Sequence, residues 1–350
     1  MSFTNPFLPS SSRPGYGTVH LALLPPNTPV LQTVTYQYPL KLIAPEPLYL
    51  PSTTPNKPDD SRILIHTLFL LTYGGGLVAG DTISLTLTLA PTTRLVLLTQ
   101  GSTKIFKTPS PALLSRQHTT TRLSAGAALC YLPDPVQPFA DSAVAVSAIY
   151  ELDDATASLC VLDWVSEGRP ARGERWAFHA YRSRNEVWAL DPKTNARQLL
   201  LRDNQILDRH ATPTLPRLAG QGSEGELAAR MDGLGAFGTL ILRGPLFEGL
   251  GGAFMGEFEA LPRIGGRQWE DEAPGGPAAR VSELEARRGA RRRQEGADGV
   301  LWSAARVRGF VLVKFGAREV EGARRWVKGM IGSEGSVARE FGEGALLCLK

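Results

Sequence analysis

The stretch ISLTLTLA, residues 83–90, alternates strictly between apolar and polar side chains. In an extended chain the isoleucine and the leucines fall on one face, and the serine and the threonines fall on the other. A period of two therefore predicts a β-strand here, with one face buried against a core.

Further stretches carry the same kind of pattern, and turn residues separate them at short intervals. They lie at residues 95–99, 118–123, 128–132, 143–152, 158–165, 175–183, 196–201, 238–244 and 309–315. Helix patterns are few, about two, at residues 223–231 and near the C-terminus at residues 317–331. This series is typical of a mainly β fold, a sandwich, a barrel or stacked sheets, rather than of alternating βαβ units.

Composition divides the chain into successive segments. Residues 1–15 are predicted to be a flexible N-terminal arm, and residues 16–248 a β-rich core. Residues 249–300 are rich in Gly, Ala, Arg and Glu and lack strong periodicity, apart from a helix around residues 281–293. We expect a partly flexible surface insertion there. Residues 301–350 supply a strand and a helix that complete the core domain.

The overall charge and the cysteines exclude several classes of protein. The chain has 350 residues and a net charge of +4, too small an excess to indicate nucleic-acid binding by itself. Its three cysteines lie far apart without a CxxC pair, which favours a reducing compartment. The longest apolar run, residues 63–73, is too short to cross a bilayer. These observations predict a soluble, cytoplasmic protein that binds neither nucleic acid nor membrane.

Two glycine-rich stretches resemble nucleotide-binding motifs, but physical arguments exclude nucleotide binding at both. In YGGGLVAGDTISL, residues 73–85, Asp81 stands where a phosphate loop needs lysine, and a strand follows where a helix is needed. The GxGxxG match at Gly233, Gly235 and Gly238 has a helix before it and a strand after it, the reverse of a dinucleotide site. The glycines of both stretches are therefore predicted to lie in turns.

Signatures of metal ligation and nucleophilic catalysis are also missing. The chain has five histidines but no HExxH, no CxxC and no GxSxG element. The arginine-rich run at residues 286–293 is flanked by acidic residues, as in a solvated mixed-charge segment.

Five stretches in order carry a more specific signal. They are GGGLVAGD (74–81), LLTQGSTKIFKT (97–108), LPDPVQPF (132–139), LDWVSEGRPARGE (162–174) and RNEVW (184–188). Taken one at a time, their glycines and prolines are typical of turns and their charges of a surface. In this order and spacing they resemble the urease accessory protein D family, called H in some bacteria. The resemblance covers about residues 16–245 and, more loosely, 301–331.

Some positions depart from the family pattern. Ala79 stands where the family usually has glycine, and the segment at residues 249–300 is extra. The chain ends FGEGALLCLK rather than in the family's proline-arginine-tryptophan-like tail. Contacts made by that tail are therefore not expected to carry over, whereas the core is.

The resemblance implies a scaffold rather than an enzyme. Members help to deliver nickel into apo-urease, dock on urease, and bind a helical accessory protein, F, and through it a GTPase, G. The implied fold has stacked, β-helix-like sheets with a pair of helices, and the implied assembly is paired and hetero-oligomeric. Ni²⁺ would be cargo in transit, with no tightly bound cofactor.

The matched motifs also imply site residues. The glycine turns are Gly74, Gly75, Gly76, Gly80, Gly168 and Gly173. The candidates for a conduit or an interface are Asp81, Thr99, Lys104, Asp134, Asp163, Arg169 and Glu174. No metal site is firmly assigned. Oxygen ligands release nickel more readily than a closed thiolate cage, so Asp163 and Glu174 are candidates for transient ligands. The alternative for each carboxylate is turn capping or surface exposure.

Two other functions remain open from the residues alone. A β-sandwich that binds a carbohydrate or peptide would need exposed aromatic side chains along a groove, and Trp164, Trp176 and Trp188 lie in strand-like stretches. A hydrolase could assemble its triad from distant positions. Either would be well behaved alone, whereas a scaffold would expose apolar interface until its partner binds.

Overall fold

The computed structural model describes residues 13–51, 62–191, 193–194, 196–209, 226–261 and 283–350. The strands are β1 (Tyr16–Leu24), β2 (Thr28–Tyr36), β3 (Leu40–Ile43), β4 (Leu48–Pro51), β5 (Arg62–Thr72), β6 (Gly76–Leu77), β7 (Thr82–Leu89), β8 (Arg94–Leu98), β9 (Thr103–Ile105), β10 (Ser115–Leu123), β11 (Ala128–Tyr131), β12 (Val136–Pro138), β13 (Ala143–Leu152), β14 (Ser158–Ser166), β15 (Gly168–Arg169), β16 (Glu174–Arg175), β17 (Ala180–Leu190), β18 (Arg197–Asp208), β19 (Ala236–Arg243), β20 (Leu301–Val307) and β21 (Phe310–Ala317). The helices are α1 (Glu226–Arg230), α2 (Glu248–Glu259), α3 (Glu283–Asp298), α4 (Val320–Glu334) and α5 (Ser336–Phe341).

Two large sheets share the chain. The first has the order β18-β17-β13-β10-β7-β1-β2, and its central strands run parallel. The second has the order β20-β21-β19-β14-β11-β8-β5-β3, with a parallel centre of β5, β8, β11 and β14. A third, short parallel ladder joins β6, β9 and β12.

The chain passes from one sheet to the other and back as it advances. Strands β7, β10, β13 and β17 add to the first sheet in sequence order, while β8, β11 and β14 add to the second. Each passage therefore forms one coil of a β-helix-like stack. The predicted mainly β fold of stacked sheets is confirmed.

The first core fills the space between the sheets. The apolar side chains of ISLTLTLA point into it, and Ile83, Leu85, Leu87 and Leu89 are all buried. Strand β14 differs, because both of its faces are covered: Val161 lies in this core, while Leu162 and Trp164 lie in a second one. Strands buried on both faces show continuous apolar runs, as in SLCVLDWV.

The second core lies between the outer face of the second sheet and the helices. Helices α2, α4 and α5 cover this face, with Trp164, Phe315 and Trp326 among the buried side chains. The described residues contain five α-helices, more than the two expected. None of them is long and apolar enough to cross a membrane.

The structure describes the two ends of the segment at residues 249–300. Helix α2 buries Leu250 and Phe254 in the second core. Helix α3, residues 283–298, overlaps in sequence with the helix expected around residues 281–293. Residues 262–282 between them, residues 1–12 of the predicted arm, and residues 223–225 of the predicted helix lie outside the described residues. The division into segments stays a prediction.

Candidate functional site

Asp163 lies on β14 and faces the first sheet across the core. Its carboxylate accepts hydrogen bonds from three side chains of β17: Tyr181 Oη at 3.1 Å, Ser183 Oγ at 2.5 Å and Asn185 Nδ2 at 2.6 Å. These donors stand at alternate positions of one strand, so the pleat directs all three to the same side. The strand thus forms a fixed row of donors for one carboxylate.

The charge of Asp163 is solvated by neutral groups rather than by a cation. Among the described residues, no lysine, arginine or histidine lies within salt-bridge distance of its carboxylate. Burial raises the pKa of Asp163 above its usual value, while the three hydrogen bonds act in the opposite direction. The carboxylate is therefore polar, preorganised and not neutralised by a partner.

A cavity of about 40 Å³ opens beside this carboxylate, between the two sheets. Its polar lining comes from Thr99, Thr103, Gln117, Thr119, Tyr131, Asp134, Tyr150, Asp163 and Asn185. A single water occupies roughly 10–15 Å³ on this measure, so the space fits a few water-sized species. Asp163 keeps some accessible surface because it lines the cavity, although protein surrounds it.

Asp134 lines the same cavity in a different electrostatic setting. Its carboxylate accepts hydrogen bonds from Thr99 Oγ1 at 3.1 Å and the Gly101 backbone N–H at 2.9 Å. It also forms an ion pair with Arg324 of α4, at 2.9 Å. The structure thus brings the predicted residues Thr99, Asp134 and Asp163 to one cavity, with only Asp163 free of a cationic partner among the described residues.

The C-terminal segment adjoins this part of the cavity wall. The Cys348 thiol lies 3.3 Å from the Thr99 carbonyl oxygen, and Arg324 donates to the Cys348 carbonyl. Burial, followed by the nearby Asp134 charge, raises the pKa of Cys348 to about 11. The thiol is therefore protonated at neutral pH, which makes it a poor metal ligand.

Arg169 and Glu174 form a separate clamp outside the cavity lining. They pair across the short β15–β16 hairpin in a two-point ion pair, and Glu174 also accepts the Ala140 N–H at 3.0 Å. The Arg169 guanidinium lies 3.8 Å from the ring centroid of Phe139. Hydrogen bonding to Arg169 is the main cause that lowers the pKa of Glu174.

The glycine turns shape the backbone around these side chains. Gly168 has φ +113°, and a Cβ there would lie 2.8 Å from the Pro138 carbonyl oxygen. Gly173 ends the short turn before β16 with φ +75°. Gly76 is extended but lies so close to Lys104 of β9 that a Cβ would overlap its carbonyl. Positive φ also occurs at Gly74, Gly75 and Gly80.

Asp81 caps the turn that contains Gly80. Its Oδ2 accepts the Val78 N–H at 3.0 Å, which satisfies a backbone donor within the turn. Lys104 is exposed on the short third ladder. Neither residue lines the cavity of Asp163. For Asp81 the structure therefore shows the capping geometry that the sequence left open.

Sequence reasoning did not identify the donors of β17 or the polar residues beside them. Gln205 Nε2 lies 3.2 Å from both the Asp163 carbonyl and Thr239 Oγ1, and Lys314 pairs with Asp203 at 2.7 Å. The sequence feature that indicates these donors is the alternation of Tyr181, Ser183 and Asn185, which places polar groups on the inward face of a strand. In the part of the chain that the structure describes, no three His, Cys, Asp or Glu side chains cluster as a metal site.

Comparisons with known proteins give a consistent result. The sequence pattern of a family described as UreD urease accessory protein matches residues 16–343. Urease accessory protein 4 of Cryptococcus neoformans var. grubii is 32% identical over 94% of this chain and 93% of its own length.

Relatives also occur outside that organism. The uncharacterized urease accessory protein ureD-like of Schizosaccharomyces pombe is 28% identical over 83% of this chain and 84% of its own length. Urease accessory protein D of Arabidopsis thaliana is 34% identical over 44% of this chain and 49% of its own length. The match to the family pattern thus extends from β1 through α5.

Proposed function

The chain belongs to the UreD urease accessory protein family, and from this premise we propose that it is a non-catalytic scaffold for nickel delivery into apo-urease. Family membership places its role in urease maturation. In the proposal the chain docks on urease and binds the F accessory protein, and through it the GTPase G. The assembly is paired and hetero-oligomeric, it works in the cytoplasm, and Ni²⁺ is its cargo.

One observation supports a direct part for the chain in transfer. Asp163 holds a carboxylate in a polar cavity between the sheets, with neutral donors around it and no cationic partner among the described residues. An anionic group in a low-dielectric interior lowers the electrostatic cost of a divalent cation. The donors on β17 keep the carboxylate in place whether or not the cation is present.

The ligand chemistry suits transit rather than storage. A lone carboxylate with hydroxyl and amide neighbours binds a divalent ion weakly, whereas a thiolate cage holds it tightly. Because burial raises its pKa, Asp163 competes for a proton as well as for the cation. Cation entry would displace that proton, so transfer should become easier as the pH rises.

The other predicted carboxylates contribute differently in this proposal. Asp134 is offset by Arg324, and Glu174 by Arg169, so both carry less uncompensated charge toward a cation. Asp81 serves its turn. Asp163 is therefore the residue on which the conduit depends, and Thr99, Lys104, Asp134 and Arg169 support the walls or an interface.

Complementation tests the scaffold. A cell that has urease and matched F and G partners, but lacks its own D member, receives this gene and is assayed for nickel-dependent urease activity. We expect activity to be restored. If the chain accumulates as folded protein, the partners come from the same organism and activity stays absent, the scaffold proposal is wrong.

The same assay separates the conduit from the scaffold. Asp163→Asn keeps the size and most hydrogen bonds, and should lower activation several-fold at limiting nickel while the chain still co-purifies with its partners. Glu174→Gln is the matched control, since it removes a carboxylate outside the cavity. Full activation by Asp163→Asn would leave the scaffold intact and eliminate the conduit.

A further inference from the structure

A second cavity, of about 390 Å³, lies at the tip of the β20–β21 hairpin and shares no lining residue with the cavity of Asp163. Strand β19, the hairpin and the start of α2 form its walls. Its charged lining consists of Arg243, Arg306 and Arg308, with Glu248 as the acidic residue. Three guanidinium groups against one carboxylate leave a net positive wall.

Arg243 is fixed in this wall without a counter-charge. Its guanidinium lies 4.6 Å from the ring centroid of Phe310, and Nη1 lies 3.5 Å from the Arg308 carbonyl oxygen. The Nε atom is buried and has no hydrogen-bond partner among the described residues. Burial lowers the pKa of Arg243, and no carboxylate in the described ranges counters this effect. The side chain as a whole is half-buried, and a buried donor atom without a partner costs free energy and needs an explanation.

Arg308 occupies a backbone position that does not suit arginine. Val307 pairs with Phe310, so Arg308 and Gly309 form a two-residue hairpin turn, with φ of +49° and +82°. Positive φ at both positions is the pattern of a type I′ turn, which favours Asn-Gly. Unfavourable backbone positions that persist often have a functional cause. Here the unfavourable backbone conformation of Arg308 places a third guanidinium group at the rim of the cavity.

The remaining walls are apolar. Leu242, Phe247 and Val311 line the cavity beside the arginines. Helix α2 begins here, with no side-chain cap on its first turn, so its N-terminal dipole adds to the positive potential. The volume lies in the range of small-molecule sites, which combine apolar walls with a few oriented charges.

We propose that this cavity binds a small organic phosphate monoester, with its phosphoryl group on Arg243, Arg306 and Arg308 and its organic part on the apolar wall. Guanidinium groups match the oxygens of a phosphoryl group in pairs of charge-assisted hydrogen bonds. The proposal does not depend on the nickel conduit, since the two cavities are separate.

Isothermal titration calorimetry at fixed ionic strength tests the proposal on the full chain. The probes are phenyl phosphate, inorganic phosphate and benzoate. We expect phenyl phosphate to bind several-fold more tightly than inorganic phosphate, because its ring contacts Leu242, Phe247 and Val311. Benzoate should bind more weakly than either. Benzoate affinity equal to that of phenyl phosphate would overturn the assignment to phosphate.

Arg308→Asn distinguishes binding from folding. Asparagine suits a type I′ turn, so the variant should melt at the same temperature as the parent or higher. Losing one guanidinium should weaken phenyl phosphate binding by about tenfold. Arg172→Asn removes an exposed arginine outside the cavity and should leave affinity unchanged. Parental affinity in Arg308→Asn, or equal losses in both variants, would overturn the proposal.

Discussion

Arg324 of α4 donates to the carboxylate of Asp134 at 2.9 Å, across 190 positions of sequence. Only 13% and 9% of the two side chains remain exposed. The same arginine donates to the Cys348 carbonyl. One guanidinium thus ties the wall of the polar cavity to the C-terminal helices.

Breaking this pair should destabilise the fold. Arg324→Met leaves the Asp134 carboxylate largely buried without a cation, and we expect a loss of about 3 kcal/mol in the free energy of unfolding, measured with urea. The double variant with Asp134→Asn should be less destabilised than the sum of the single variants. Arg325→Met is the control, because its ion pair with Asp298 is more exposed, and it should cost less than about 1 kcal/mol. Equal losses at both arginines would contradict the buried pair.

The raised pKa of Asp163 predicts a pH dependence of definite sign. The folded chain binds this proton more tightly than the unfolded chain, whose carboxyl titrates near 3.8. The free energy of unfolding therefore falls as the pH rises from 3.8 through the pKa of Asp163 in the folded chain. At higher pH the contribution of Asp163 no longer changes. The stability of Asp163→Asn relative to the parent should rise over that window and then stay constant.

A truncation at the same site should act differently. Asp163→Ala leaves Tyr181, Ser183 and Asn185 without their acceptor, and should lose about 1–3 kcal/mol at neutral pH. Urea titrations of both variants between acid and neutral pH measure the difference. A pH-independent gap between the parent and Asp163→Asn would show that burial does not raise this pKa.

The three cysteines should be unreactive in the folded chain. Cys130, Cys160 and Cys348 are all buried, and the pKa of Cys348 is raised to about 11. Thiolate is the reactive form, so alkylation by iodoacetamide at pH 8 should be slow until urea unfolds the protein. Mass spectrometry of tryptic peptides locates each label. Rapid modification of Cys348 in the native chain would mean that the C-terminal segment opens readily.

Two glycines beside the Arg169–Glu174 clamp make a matched pair. At Gly168 an alanine would have φ +113° and a Cβ 2.8 Å from a carbonyl oxygen, and we expect a loss of about 2–3 kcal/mol. At Gly173, with φ +75°, a Cβ would meet nothing within 4 Å, so Gly173→Ala should cost only about 1 kcal/mol. Melting temperatures of the two variants decide the order, and the reverse order would contradict the close approach at Gly168.

Local sequence patterns predict where the strands lie better than they predict which strands pair with each other in a sheet. The alternation in ISLTLTLA specified β7 and its buried face, but nothing in those residues shows that β10 lies beside it. Parallel pairing joins distant segments, so its partner depends on the whole stack. The pattern at residues 175–183 predicts one strand, but the chain turns at Trp176, with φ +52°, and β17 starts at Ala180. The residues of α2 do not predict a helix, because its glycines obscure the helical period.

The candidate site was predictable only in part, for a similar reason. The motifs gave Thr99, Asp134 and Asp163, which the fold brings to one cavity. The motifs do not distinguish Asp163 from Glu174, because the two carboxylates differ in the side chains that contact them. Arg169 is five residues from Glu174, whereas the donors to Asp163 come from the opposite sheet. Local charge pairs are visible in sequence, and contacts across a core are not.

The contacts of the last helices have a consequence for biosynthesis. Arg94 of β8 pairs with Glu340 of α5 at 2.8 Å, and Thr99 meets Cys348 across 249 positions. A nascent chain that has emerged from the ribosome as far as β19 can stack its coils, but the outer face of its second sheet stays uncovered. About 100 residues separate the end of β19 from the end of α5, so at roughly 5–20 residues per second this apolar face stays uncovered for about 5–20 seconds. A chaperone that shields β-sheet surface during this interval should raise the yield of the intact protein more than that of a fragment ending at β19, because only the intact chain goes on to cover this face.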